Sequence, residues 1–155
     1  MITVDRKKCA EYKLGTEIFK VKCKIYMKQK NSILLFVYNA DGTFFASVTD
    51  YVHKIISPKT YQCNLCKLTY GNAGMKKEWQ TFLETLPYKK QFQHKDEFLR
   101  IHPEFADTPL PAIFVLNEKD LNIVLNESTI EKANSLGQLQ DMLTKGLEKY
   151  RTKGT

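Results

Sequence analysis

The chain carries the stretch TYQCNLCKLTYG at residues 60–71, which sets Cys63 and Cys66 three residues apart. Thiols at that spacing admit three kinds of chemistry. They can cycle between dithiol and disulfide, supply half of a metal site, or pack as small hydrophobes beside Leu65 and Leu68. Redox use requires Cα atoms within bridging distance and one sulfur within reach of solvent. If Ser57-Pro58 opens a short helix, Cys63 and Cys66 share one of its faces at i and i+3, and that face is expected to be partly open. Lys54, Lys59 and Lys67 lie near in sequence and would favour a thiolate. One cysteine then attacks and the other resolves the mixed disulfide, the more exposed sulfur attacking. Cys63 and Cys66 are therefore the candidate catalytic residues, and this reading needs no cofactor.

The metal reading needs four ligands for structural zinc. His53 precedes Cys63 by ten residues and His94 follows Cys66 by 28. A set of Cys63, Cys66, His53 and His94 has the right softness for zinc. It lacks compact finger spacing, so tertiary folding must bring His94 in. The protein would then be a non-enzymatic, metal-stabilised domain. Other reactive side chains have plainer explanations. Cys23 alternates with Val21 and Ile25 as a core residue would, and Cys9 sits in a basic stretch. His53 falls in a last helical turn, where a cation suits the helix dipole. His94 with Asp96 and Glu97 could move protons, but Asp96 capping a helix beside an exposed histidine accounts for the same residues.

The elements that must position these groups follow from hydrophobic spacing. Residues 19–28, FKVKCKIYMK, alternate apolar and polar, which predicts a half-buried strand with a lysine row on its outer face. Ile33–Tyr38, ILLFVY, is continuously apolar and predicts a central strand covered on both faces. The short turn between the two predicts antiparallel pairing. Asp41 should cap a helix with apolar positions from Phe44 to Ile56. Gly71 and Gly74 should bracket a loop, and Met75, Trp79, Phe82, Leu83 and Leu86 mark a helix ended by Pro87. YKKQFQH reads as a weak strand and DEFLRIHP as a short helix. Residues 112–116 should form a buried strand beside Ile33–Tyr38, followed by a hairpin at NEKD. Leu136, Leu139, Met142, Leu143 and Leu147 predict a closing helix, weakened by Gly137 and Gly146.

The 155 residues suit one domain, with residues 1–16 an irregular extension and 18–150 the body. A hydrophobic content of 43% fits a globular protein rather than a disordered tail. No apolar run approaches the roughly 18 residues of a membrane span. MITVDRKKCAEYKLG lacks the apolar core of a secretory signal. The expectation is a cytoplasmic protein with no membrane partner, where a close cysteine pair points to redox or metal chemistry. The net charge of +7 is uneven: nine of 24 basic and three of 17 acidic residues fall in the first thirty. The rest is nearly neutral, so the sequence argues against nucleic acid except at the N-terminal lysine strand. With Tyr26 to stack on a base, that strand offers a third reading, a basic interaction module. On the redox reading the partner is a protein or small thiol.

The order strand, helix, helix, strand, proline, buried strand, hairpin and helix over 33–150 resembles the thioredoxin-like fold, most closely at LPAIFVL-NEKD-LNIVL and the helix after it. The resemblance implies an α/β protein with a central sheet and helices on both faces, here with an extra N-terminal β-strand and a Cys-bearing helical insert. It implies a cis-proline before the buried strand, a role that Pro111 would fill. In that family the CxxC follows the first central strand, where this chain has Asn39-Ala40-Asp41-Gly42. Separately, YNADG, HKIISPKTYQCNLCKLTYG, KKEW and HKDEFL over 38–115 resemble a small, uncharacterised bacterial family with a CNLCxLTYG-type motif, whose members sometimes carry an automatic GTPase label.

The residues give that label no support. A phosphate-cradling loop needs G-x-x-x-x-G-K-[ST], and none occurs. In Asn117-Glu118-Lys119-Asp120 the lysine stands in the wrong place for a guanine-reading N-K-x-D motif, and a hairpin turn explains it. GTP is expected to show no tight binding by calorimetry; saturable micromolar binding that is insensitive to salt would contradict this.

Overall fold

The computed structural model describes residue 29 and residues 31–40, 63–71, 74–118 and 120–153. The expected extension at 1–16, the lysine strand at 19–28 and the helix over 44–56 lie outside the described residues. So do Cys9, Cys23, Asp41 and His53.

Strand β1 (Ile33–Tyr38) is buried along almost its whole length. The chain next described forms helix α1 (Asn64–Thr69), then a two-residue ladder of β2 (Tyr70–Gly71) with β3 (Gly74–Met75) where a loop is expected. Helix α2 (Lys77–Thr85) ends at Leu86, since Pro87 disfavours helical backbone in the residue before it. Strand β4 (Lys89–His94) leads directly into helix α3 (Lys95–Ile101), a 3-10 turn (Pro103–Phe105) and strand β5 (Ala112–Asn117). Strand β6 (Asp120–Leu125), the short helix α4 (Glu127–Ile130) and the long helix α5 (Leu136–Lys153) complete the order.

The sheet runs β4-β1-β5-β6. β4 is parallel to β1, with Ile33 opposite Lys89 and Tyr38 opposite His94. β5 is antiparallel to β1, with Val37 opposite Ala112, and β6 is antiparallel to β5. The expected adjacency of β1 and β5 is thus present. The expected pairing of residues 19–28 with β1 lies outside the described residues; among those described, β4 and β5 pair with the two edges of β1.

Alternation along β1 feeds two cores, so the protein is α/β with helices on both faces of a mixed sheet. Leu34, Phe36 and Tyr38 join Trp79, Leu83, Ile113, Leu139, Leu143 and Leu147 on one face. Leu35 and Val37 join Phe98, Leu110, Ala112 and Phe114 on the other. Aromatic edges lock each layer: Phe36 meets Trp79 at 5.8 Å and 81°, and Phe105 meets Phe114 at 5.5 Å and 84°. Among the described residues no helix is long and apolar enough to cross a membrane.

Helix α3 corrects a second expectation. Its cap is His94, whose backbone N–H donates to Glu97 Oε2 at 3.2 Å, while Asp96 lies inside the first turn. A carboxylate three residues on satisfies a backbone donor at the start of a helix.

Two glycines in α5 differ in what a side chain would meet. At Gly146 an added Cβ would lie 2.9 Å from Val124 Cγ1 and 3.1 Å from the Val124 carbonyl oxygen, because α5 packs tightly on β6 there. At Gly137 the nearest group is Ser135 Oγ at 4.0 Å. Gly137→Ala is expected to stabilise by about 0.5–1 kcal/mol, the helix-propensity gain. Gly146→Val should destabilise by about 1–3 kcal/mol through overpacking. Urea unfolding of the two variants checks the contrast.

Candidate functional site

Cys63 and Cys66 form a disulfide across the first turn of α1, with Cα atoms 5.3 Å apart. The spacing expected from sequence is therefore met, but the helix start differs. Cys63 is itself the N-cap, with extended backbone. The N–H of Cys66 donates to Cys63 Sγ at 3.3 Å, and the N–H of Lys67 donates to the Cys63 carbonyl at 3.1 Å. A sulfur thus takes the place of the usual cap oxygen.

The expectation of a partly open face is corrected. Cys63 is 0% exposed and Cys66 8% exposed. Both pack in the core cluster with Leu65, Leu68 and the α5 leucines. The physical reason is the anchoring of α1 at both ends. Asn64 Nδ2 donates to the carbonyls of Ile130 at 2.8 Å and Ala133 at 3.0 Å, which ties the cysteine turn to the link between α4 and α5. Lys76 Nζ donates to the Leu68 carbonyl at 2.8 Å, satisfying an acceptor at the helix C-terminus. Neither role was apparent from the sequence; the only signal was an amide between two cysteines.

At the far end of α1, Thr69 Oγ1 donates to the Leu65 carbonyl at 2.7 Å and lies 3.5 Å from Tyr38 Oη. The Tyr38 and Tyr70 rings meet edge-on at 5.7 Å and 78°. α1 thus lies beside the end of β1 that points towards the cis Leu110–Pro111 bond. The residues that directly follow β1, Asn39 and Ala40, hold no thiol, and the Ala40 carbonyl accepts from the Lys95 N–H at 3.1 Å.

Of the four alternative metal ligands, Cys63 and Cys66 are together and bonded to each other. His94 stands at the β4–α3 junction with Nδ1 3.3 Å from Glu97 Oε2. His53 lies outside the described residues. Among the described residues no three His, Cys, Asp or Glu side chains gather as a metal site. Lys67 is exposed in the last turn of α1; Lys54 and Lys59 lie outside the described residues. No family model, curated protein or solved structure matches the chain.

Buried phenols near this layer give it a pH signature. Burial, and then the neighbouring Tyr70, hold the Tyr38 hydroxyl well above its ordinary range. Burial pushes Tyr88 up to about 12, against the opposing pull of Arg151. Both phenols favour the neutral form more strongly in the fold than in the unfolded chain. Their contribution is therefore complete below about pH 10 and is lost as pH rises through the folded values. Stability should fall above pH 10 by about 1.4 kcal/mol per pH unit for each such tyrosine. Tyr88→Phe should shallow that slope in urea titrations between pH 9 and 12, while leaving the neutral range unchanged in shape.

Proposed function

We propose that this chain is a thioredoxin-like thiol–disulfide protein that works through Cys63 and Cys66. Support for the fold comes from strand order and sense. A β4-β1-β5-β6 sheet with β1 and β4 parallel and the other pairs antiparallel is the thioredoxin-like arrangement. Helices on both faces and a cis-proline immediately before β5 agree with it.

The observation that carries the chemistry is the bonded pair at 5.3 Å between Cα atoms. The bridge closes a sequence separation of only three residues. Chain-entropy reasoning gives so short a loop roughly 2 kcal/mol of stabilisation, less than a long-range staple. Its value therefore lies more naturally in exchange than in cross-linking. An incoming thiolate attacks Cys66 Sγ, the less buried sulfur. The Cys63–Cys66 bond breaks, and Cys63 leaves as a thiolate that accepts the Cys66 N–H. A second thiolate attacks the external sulfur of the mixed disulfide, releasing a disulfide product and the Cys66 thiolate. The net change reduces the protein pair by two electrons and oxidises two thiols. The partner on this reading is a protein dithiol or a small thiol.

Burial of both sulfurs favours a second reading, a structural disulfide in the core. Redox titration against a glutathione or dithiothreitol couple separates the two. Exchange predicts a reversible two-electron transition at a potential near the cytosolic poise, absent in Cys63→Ser and Cys66→Ser, with Cys66 alkylated first in the reduced native protein. A structural pair predicts resistance to reductant, and to alkylation, until the protein unfolds.

A further inference from the structure

The end of the sheet where β1 begins carries a cleft of about 690 Å³, between the start of β1, the β5–β6 hairpin and the last turns of α5. It lies away from the cysteine turn, which sits beside the opposite end of β1. Its walls present the amides of Asn31, Asn117 and Asn122 and the hydroxyls of Ser32 and Tyr150. Amides and hydroxyls both donate and accept hydrogen bonds. Among the described lining residues the charged groups are Glu118, Asp120 and Lys149, two carboxylates and one ammonium. Val124 adds an apolar group on the α5 side, while the side chain of Ile123, opposite Phe114 in the β5–β6 register, lies on the other face of the sheet.

The polar groups are held in place rather than merely adjacent. Ser32 Oγ donates to Asn117 Oδ1, and Asn117 Nδ2 donates to Tyr150 Oη, so one chain of bonds fixes β1, the hairpin and α5 together. As the acceptor in that chain, Tyr150 keeps its own O–H as a donor. The phenol is protonated at neutral pH as any tyrosine is, and burial and Asp120 move its pKa further up. Gly146 allows α5 to approach Val124 closely and so sets the width of the cleft floor.

We propose that this cleft binds a small neutral polyhydroxylated molecule, a sugar or cyclic polyol. Each hydroxyl of such a ligand both donates and accepts, which matches walls of amide and hydroxyl groups. Its C–H face matches the side chain of Val124. The volume is in the range of pockets that enclose small ligands, on the order of 300–1,000 Å³. Other classes fit less well. A phosphate would meet one ammonium and two carboxylates. A hydrocarbon ligand would leave the amides unpaired, which costs about 1–3 kcal/mol per buried group. Glu118 and Asp120 are two carboxylates, short of a metal cluster among the described residues. The inference does not depend on the reading of Cys63 and Cys66.

The test is an NMR titration of isotope-labelled full chain with glucose, galactose, N-acetylglucosamine and myo-inositol. Ethanolamine and inorganic phosphate serve as counter-probes. At least one polyol should give saturable shifts at Asn31, Ser32, Asn117, Asp120, Asn122 and Lys149. Asn122→Ala and Asp120→Ala, both at exposed positions of β6, should each bind about tenfold more weakly, the loss of one good hydrogen bond, with unchanged melting temperature. The proposal is overturned if no polyol shifts these residues, if phosphate or ethanolamine binds them more tightly, or if both variants bind as the wild type does.

Discussion

Strand β1 is the constraint on which the rest depends. Its backbone is paired on both edges and its side chains are buried on both faces, so every neighbouring element must satisfy it at once. A strand with Leu34, Phe36 and Tyr38 on one side and Leu35 and Val37 on the other cannot leave either side to water without losing about 1.5–3 kcal/mol for each large side chain. Two helical layers follow from that requirement. α1, α2 and α5 cover one face and α3 with the 3-10 turn covers the other. β4 can be polar on its outer side because, among the described residues, it is an edge strand, and its lysines and glutamines oppose unwanted pairing.

The cysteine turn inherits its burial from this arrangement. α1 is only six residues long and has little helical stability of its own. It holds its place through contacts made at its two ends, by Asn64 to the α4–α5 link and by Lys76 to its last carbonyls. Between those anchors Leu65 and Leu68 face the sheet, and the sulfurs are drawn in with them. The two hydrogen bonds from Asn64 hold the N-terminal turn, whose Cys63, Leu65 and Cys66 share one core cluster with Leu34, Phe36 and Tyr38 of β1.

Much of this fold was legible in the sequence because its signals are local. Continuous apolarity in ILLFVY and AIFVL marked the two central strands, and the stepped apolar residues from Met75 to Leu86 marked α2. The spacing of Cys63 and Cys66 was enough to foresee that they meet. Burial of the pair beside Leu65 and Leu68 was one of three readings the sequence left open, and what decided among them was not legible, since Asn64 reaches residues 66 and 69 positions away. The α3 cap was misread for a related reason: Asp96 is a better cap than histidine by type, but β4 runs through His94 and fixes where the helix can begin. The chain of bonds from Ser32 through Asn117 to Tyr150 is equally non-local, and NEKD on its own spells only a turn.

The place of the cysteines at the start of α1 would have an energetic consequence for exchange at this pair. A thiolate at Cys63 would gain the Cys66 N–H but would sit among apolar side chains, with no water to solvate it. Desolvation raises a thiol pKa, while hydrogen bonding to the charged form lowers it. Burial of Cys63 and the N–H of Cys66 that reaches its sulfur therefore act in opposite directions on a thiolate there. Exchange through a closed core would be slow, and opening of the Asn64 clamp would set its rate. On the proposed exchange reading, the thiolate chemistry and the hydrogen bonds that hold α1 in place would be coupled: loosening the Asn64 clamp would hydrate the sulfurs, lower the cost of charge on Cys63 and expose Cys66 to attack.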